Sequence, residues 1–95
     1  MLPTDFIEVR ATIKGKVQGV GFRVTARQLA IHLGIAGTVR NLADGSVEIY
    51  ALGKRQAVHE LIKVLAEPQG PGKVSAVFSE EVFPQHQYTD FRIIS

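Results

Sequence analysis

Between residues 7 and 14, apolar side chains alternate strictly with polar or charged ones. Because successive side chains of a strand point to opposite faces of a sheet, this alternation predicts a half-buried first strand. Gly15, Gly19 and Gly21 then interrupt the pattern and predict a loop after this strand.

After these glycines the spacing of apolar residues becomes that of a helix. Counted from Phe22, apolar residues recur at offsets of 4, 7, 8 and 11, and Gly34 follows as a helix-ending residue. A second amphipathic segment runs over residues 57–65 and ends before Pro68. The chain therefore carries two predicted helices, each with one apolar face.

Four further apolar runs predict strands. They cover residues 35–40, 47–51, 74–83 and 91–94, the last being short. The first two flank Asp44-Gly45, a pair that favours the positive φ angles of a hairpin. The order strand, helix, strand, strand, helix, strand, with a short extra strand, predicts a ferredoxin-like α/β sandwich (βαββαβ). It would have an antiparallel sheet with both helices on one face.

This topology places two distant segments at one end of the sheet. The first strand runs up, the first helix runs down, and the second strand runs up again. The loop after the first strand and the hairpin after the second are therefore neighbours. We expect Arg23 and Asn41, which are 18 residues apart, to face one site.

The composition narrows the function classes. A chain of 95 residues predicts a single domain over residues 1–95. Without cysteine, thiol catalysis, disulfides and thiolate metal sites are excluded. No apolar run approaches the ~20 residues of a membrane span, and the start of the chain lacks a secretory signal pattern. We therefore expect a soluble cytoplasmic protein.

The basic residues are unevenly distributed. With 11 basic and 9 acidic residues the net charge is only +2, yet no acidic residue lies between Val9 and Ala43. The basic residues in that window are Arg10, Lys14, Lys16, Arg23, Arg27 and Arg40. Such a block indicates a surface that faces a phosphate, a carboxylate or nucleic acid. The alternative is a set of solvated charges that fall together by chance.

Residues 15–23 join the first strand to the first helix and contain three glycines. Glycines let backbone N–H groups converge into an anion cradle, and Arg23 would add a permanently charged, bidentate donor. The segment is not a Walker loop, because Val17 follows Lys16, nor a dinucleotide fingerprint, because Val24 occupies the third glycine position. The alternative is a strand-to-helix turn that simply requires glycine.

Elimination leaves few catalytic groups. Asn41 is either an ordinary turn residue or an amide that orients a water molecule. The three histidines, His32, His59 and His86, are scattered and have no metal-ligand spacing. Without a nucleophile, metal or strong base, hydrolysis requires a good leaving group, which acyl phosphates provide because the carboxylate leaves easily.

At this point the sequence resembles a known family. The pattern I-x-G-x-V-Q-G-V-x-F-R at residues 13–23 resembles the first signature of acylphosphatases, and G-x-V-x-N-x-x-D-G-x-V at residues 37–47 resembles the second. Two further matches are G-P at residues 70–71 and F-x-I at residues 91–93. The resemblance covers nearly the whole chain and is identified from two long signatures in register.

The resemblance implies a small cytoplasmic enzyme that hydrolyses acyl phosphates to a carboxylate and inorganic phosphate, without metal or cofactor. By the same resemblance, Arg23 and Asn41 are the catalytic residues, with Arg23 binding the phosphate and Asn41 orienting the attacking water. The backbone N–H groups implied to bind phosphate together with Arg23 belong to Lys16, Val17, Gln18, Gly19 and Val20. Gly21 stands where some members carry a bulky aromatic residue, which puts the turnover rate in question.

Two alternatives stay open. The same sandwich occurs in non-catalytic modules that bind small anions or RNA, although this chain lacks the paired stacking aromatics of an RNA-recognition sheet. The second alternative is an acylphosphatase-like domain that serves a larger machine using carbamoyl phosphate. We expect neither a nucleic-acid partner nor a membrane partner, and we expect a monomer whose partners are its small-molecule substrate and product.

Overall fold

A computed structural model of the protein describes residues 5–84 and 87–94 and contains all seven predicted elements. In chain order they are β1 (Phe6–Lys16), α1 (Phe22–His32), β2 (Ala36–Asn41), β3 (Val47–Lys54), α2 (Arg55–Ala66), β4 (Lys73–Val82) and β5 (Phe91–Ile93). Both helices pack on a single five-stranded sheet, as the ferredoxin-like prediction requires. Neither helix within the described ranges has the length and apolar run needed to cross a lipid bilayer.

The strands lie in the order β4-β1-β3-β2-β5. The first four pair antiparallel as predicted, but β5 pairs parallel with β2, so the expectation of a wholly antiparallel sheet is wrong at this edge. Gly37 N–H donates to the Asp90 carbonyl and Ile94 N–H to the Val39 carbonyl, each at 2.9 Å. Periodicity alone does not give the direction of so short a strand.

The helix-facing side of the sheet forms the core. From β1 it includes the apolar set that the alternation predicted, and from α1 it includes the face that begins at Phe22. The fully buried members from these two elements and from α2 are Ala11, Ile13, Phe22, Ala26, Ala30, Val58, Leu61 and Leu65. Burial of these side chains fixes the start of α1 against the sheet, and so fixes the residues just before it.

The strand pairing confirms that two predicted site segments share one end of the sheet. On β3, Val47 pairs with Ile13 of β1 on one side and with Asn41 of β2 on the other. Neighbouring strands lie about 4.8 Å apart, so Ile13 and Asn41 are separated by about 10 Å across the sheet. The glycine loop after β1 and the β2–β3 hairpin therefore border the same space.

Candidate active site

The glycine loop, residues 17–21, has a backbone that alternates in the sign of φ. Gly19 and Gly21 have φ of +76° and +77°, and no other residue type in the described chain has positive φ, so Gln18 and Val20 are negative. Alternation of this kind turns successive N–H groups toward one concave side, which attracts anions. Among the described residues, no hydrogen bond uses the N–H groups of residues 17–20. The loop therefore presents unused donors.

Gly15 does not belong to this cradle. It lies where the β1–β4 register shifts, and a Cβ there would lie 2.1 Å from the Lys73 carbonyl oxygen of β4. Its lack of a side chain therefore serves close strand packing. A Cβ at Gly19 or Gly21 would meet no atom within 4 Å, so these two are required for their positive φ alone. Sequence reasoning grouped all three glycines, and the structure separates their roles.

Helix α1 begins without a cap. Gly21 is its N-cap residue, no side chain accepts a hydrogen bond from the first turn, and no acidic residue lies in that turn. The N–H groups of a first turn lack acceptors within the helix, and the helix dipole makes this end positive. Helix α2 also begins without a side-chain cap, at Lys54, so what distinguishes the start of α1 is the glycine loop that leads into it. Together the loop and the helix start are suited to an external anion.

Arg23 is the charged side chain at this helix start. It is half-buried, and no described residue forms an ion pair or a hydrogen bond with its guanidinium. It lines a pocket of about 150 Å³, whose other lining residues are Val17, Gly19, Gly21, Phe22, Val24 and Ile93. This volume is well above the minimum of about 10–15 Å³ that one water requires, so the pocket is open to a small anion.

Three of the six basic side chains in the acid-free window are paired. The Glu48 carboxylate accepts from Arg10 at 3.3 Å and from Arg40 at 2.8 Å, and Lys14 Nζ lies 3.3 Å from Asp44 Oδ2. Both acids lie outside the window in sequence, so only the sheet register reveals these contacts. The window as a whole is therefore not one anion-binding surface.

The remaining basic residues concentrate positive charge at the glycine loop. Arg27 donates to the Phe91 carbonyl at 3.3 Å. Lys16 and Arg23, at the two ends of the loop, have no acidic partner in the described part of the chain. Lys16 and Arg23 thus place positive charge beside the segment that also carries the unused N–H groups.

The Gln18 side chain joins the loop to the hairpin. Its Nε2 donates to the Leu42 carbonyl at 2.8 Å and to the Ser46 carbonyl at 2.9 Å. Sequence reasoning assigned Gln18 only a backbone role, because no local pattern links it to residues 24 and 28 positions away. These bonds hold the phosphate-binding candidates against the segment that follows Asn41.

Asn41 ends β2 beside this contact. The residue is half-buried, and its Oδ1 is buried with no hydrogen-bond partner among the described residues. Buried polar atoms are nearly always satisfied, so an open acceptor here is suited to a water molecule or a substrate atom. Asn41 does not line the Arg23 pocket itself. It borders the same end of the sheet through the pairing of its strand.

The hairpin is held rigid by Asp44. Its Oδ1 accepts hydrogen bonds from the Ser46 hydroxyl and, at 2.9 Å, from the Ser46 N–H. These bonds, with Lys14 nearby, lower the pKa of Asp44 to about 2. Because the pKa of Asp44 is lower in the folded state, its carboxylate stabilises the hairpin at pH values above its ordinary pKa of 3.8. This contribution is lost as the pH falls through about 2. Asp44 therefore has the structural role that the sequence favoured.

The structure distributes the predicted phosphate-binding residues unequally. Val17, Gly19 and Arg23 line the pocket, whereas Lys16 and Val20 have exposed side chains outside its lining. Two pocket residues that the sequence did not indicate are Val24 and Ile93. The parallel pairing of β5 with β2 brings Ile93 here, and its sequence signal was too short to show this.

The histidines contribute no metal site in the part of the chain that can be described. His32 and His59 have exposed side chains on different helices, and His86 lies outside the described residues. Across residues 5–84 and 87–94, no three His, Cys, Asp or Glu side chains group as a metal ion would require.

Comparison with known proteins gives one family. The acylphosphatase family model matches residues 9–93, a span that includes both the glycine loop and the hairpin. The acylphosphatase of Treponema denticola is 47% identical over 81 residues, 85% of each chain, and that of Koribacter versatilis is 43% identical over 88% of this chain and 76% of its own. A solved acylphosphatase from Coxiella burnetii superposes with a TM-score of 0.85 at 38% identity, covering 95% of this chain and 94% of that one.

Proposed function

Because this chain belongs to the acylphosphatase family and is an enzyme that hydrolyses acyl phosphates, we propose that Arg23 and the glycine loop bind the phosphoryl group while Asn41 positions the attacking water. The substrate is a small-molecule acyl phosphate, and inorganic phosphate is a product. The observation that carries the assignment is the loop of alternating φ that leads into the start of α1. Among the described residues, neither its N–H groups at residues 17–20 nor the Arg23 guanidinium beside it has a partner.

In this proposal the phosphoryl group is held by charge and by backbone donors. Its oxygens accept hydrogen bonds from the N–H groups of residues 16–20, and the Arg23 guanidinium neutralises charge that spreads over the equatorial oxygens. Arginine remains charged at every working pH. Since these donors are fixed before the substrate arrives, they stabilise the transition state without reorganising.

Asn41 acts on the nucleophile. Its buried Oδ1 accepts a hydrogen bond from a water molecule and turns a lone pair of that water toward phosphorus, in line with the carboxylate. The water oxygen forms a bond to phosphorus, the bond from phosphorus to the acyl oxygen breaks, and its electron pair leaves with the carboxylate. A substrate oxygen takes the water proton, since none of the residues that line the Arg23 pocket carries a carboxylate.

Isotope transfer tests this chemistry directly. When benzoyl phosphate is hydrolysed in ¹⁸O-water, we expect the label in inorganic phosphate and none in benzoate, because water attacks phosphorus. Mass spectrometry of both products measures the distribution, and rapid-quench samples are expected to contain no phosphorylated protein. Label in benzoate would show attack at the carbonyl carbon and would contradict the role given to Asn41.

Chelation tests whether the protein's own groups suffice. We expect turnover of benzoyl phosphate to stay within about twofold after incubation with excess EDTA, because backbone donors and Arg23 supply the charge stabilisation. The control is the same protein passed through a desalting column without chelator. A rate that collapses with EDTA and returns with Mg²⁺ would refute metal-independent hydrolysis.

Replacing Gln18 tests the link between loop and hairpin. Gln18→Leu leaves two carbonyls without their donor, and we expect kcat to fall about 5- to 30-fold, on the scale of two net hydrogen bonds. Inhibition by inorganic phosphate should weaken less, because the backbone donors remain. The control is Gln69→Leu, which removes an exposed side-chain contact to Glu67. Equal losses in kcat and phosphate affinity would place Gln18 in phosphate binding instead.

We also propose that the chain folds as one domain over residues 1–95 and works as a monomer in the cytoplasm. The Cα radius of gyration of 12.2 Å agrees with the roughly 12 Å expected for one compact domain of this length. Charged residues on the edge strand β4, among them Lys73 and Glu80, discourage pairing with another chain. Arg10 and Arg40 both pair with Glu48, and Arg10 also with Glu80, so these arginines are less available to a phosphate backbone, which weakens the alternative of an RNA-binding module.

A further inference from the structure

An apolar surface borders the pocket that contains Arg23. Val24 of α1 and Ile93 of β5 both line this pocket, and they stay 51% and 38% exposed. Single exposed apolar residues need no explanation. Here, however, two from different elements line one pocket together with an arginine that has no partner among the described residues.

Both side chains stand on fixed backbone. Val24 lies in the first turn of α1, next to Arg23. Ile93 pairs with Val39 of β2, and the following N–H, of Ile94, donates to the Val39 carbonyl at 2.9 Å. The direction of β5 carries it toward the sheet end where Asn41 lies. The apolar surface is therefore preformed beside the proposed phosphoryl site, and is not a feature of a mobile loop.

The lining of the pocket is apolar except for Arg23. Apart from Arg23, the lining residues are glycine or hydrocarbon side chains, without a carboxylate, amide or hydroxyl group. We propose that Val24 and Ile93 bind the acyl group, an inference that rests on the phosphoryl site proposed above. The enzyme would then select acyl phosphates with compact apolar acyl groups. Because the phosphoryl group occupies Arg23 in this proposal, a charged or hydroxylated acyl group would lose water there without gaining a partner.

The size of the pocket sets the expected range of acyl groups. Its volume of about 150 Å³ is shared with the phosphoryl group, which leaves room for a few carbon atoms. Each methylene that is fully removed from water improves binding by about fourfold. Because Val24 and Ile93 are partly exposed, each methylene is only partly removed from water, and we expect part of this fourfold gain.

A chain-length series on the wild-type protein is the first test. We expect kcat/KM to rise about two- to fourfold for each methylene from acetyl to propionyl to butyryl phosphate. Succinyl phosphate has the same chain length as butyryl phosphate but ends in a carboxylate, and its kcat/KM should not exceed that of acetyl phosphate. Measuring all four under one condition compares the acyl group alone.

Variants then assign the preference to residues. Val24→Thr replaces one methyl group with a hydroxyl and keeps the shape of the side chain. Ile93→Thr introduces the same hydroxyl but also shortens the side chain. Either change should lower the butyryl-to-acetyl ratio of kcat/KM at least about twofold. Ile31→Thr is the matched control, because Ile31 lies on the same helix, is 54% exposed and does not line the pocket. Its ratio should equal that of the wild type.

A gain of function guards against loss of folding. Val24→Lys places a cation beside the acyl group, so the succinyl-to-butyryl ratio should rise at least about threefold, which unfolding cannot produce. If the wild type turns over none of the four substrates, the proposed function itself fails. If it turns over all four equally, or if the Val24 and Ile93 variants keep the wild-type ratio, the acyl-group assignment is wrong while the proposed function stands.

Discussion

Arg23→Ala is expected to lower kcat/KM for benzoyl phosphate by at least about 10²-fold, the scale for losing one preorganised donor at a transition state. Arg23 is half-buried in the pocket, and no acidic side chain among the described residues forms an ion pair with it, so its guanidinium is available to a phosphoryl group. Removing it leaves the backbone donors but not the bidentate cation. Steady-state kinetics of the purified variant measure the loss.

Two companion variants identify the cause of that loss. Arg23→Lys keeps a positive charge but not the planar fork, so its activity should fall between those of the wild type and Arg23→Ala. Arg55→Ala removes an exposed arginine that pairs with Glu81 on another part of the surface, and its turnover should match the wild type. Near-normal turnover by a folded Arg23→Ala protein would show that the phosphate site has been misplaced.

The predictability of this fold follows the length of each hydrophobic pattern. The alternation in β1 persists over four pairs of residues, and the helical repeat in α1 persists over about three turns. Each element appears where its pattern predicts. The direction of β5 was missed because three residues carry no information on their partner. That strand supplies Ile93 to the pocket, so the error in sheet pairing also hid a residue of the site.

The site was predictable where its function follows from local backbone and not where it follows from long-range contact. Glycines between a strand and a helix favour an anion cradle but are also compatible with a plain turn, and the phosphate-binding role of residues 16–20 follows only from the resemblance. The hydrogen bonds of Gln18 to the hairpin, and the pairing of Arg10 and Arg40 with Glu48, require a known register. A charge block in sequence therefore overstates the charge that remains unpaired on the surface.

Asn41→Ala is expected to lower kcat on the order of 10²-fold, because misplacing a reacting water by about 1 Å has effects of that size. Inhibition by inorganic phosphate should change by less than about threefold, since Asn41 lies outside the lining of the Arg23 pocket. A loss in kcat without a loss of ground-state affinity marks an interaction made at the transition state. Comparable losses in both quantities would instead make Asn41 a binding residue.

Stability distinguishes the catalytic role of Asn41 from a structural one. A turn residue satisfied by its own hairpin would lose hydrogen bonds on truncation, and Tm would fall. The Oδ1 of Asn41 is buried and has no partner among the described residues, so Asn41→Ala removes an unsatisfied acceptor, and Tm should be unchanged or higher. Thr38→Ala, on the same strand, is the control and should keep wild-type kcat. A less stable Asn41→Ala protein with intact kcat would make this asparagine part of the hairpin, and the water would need another residue to hold it.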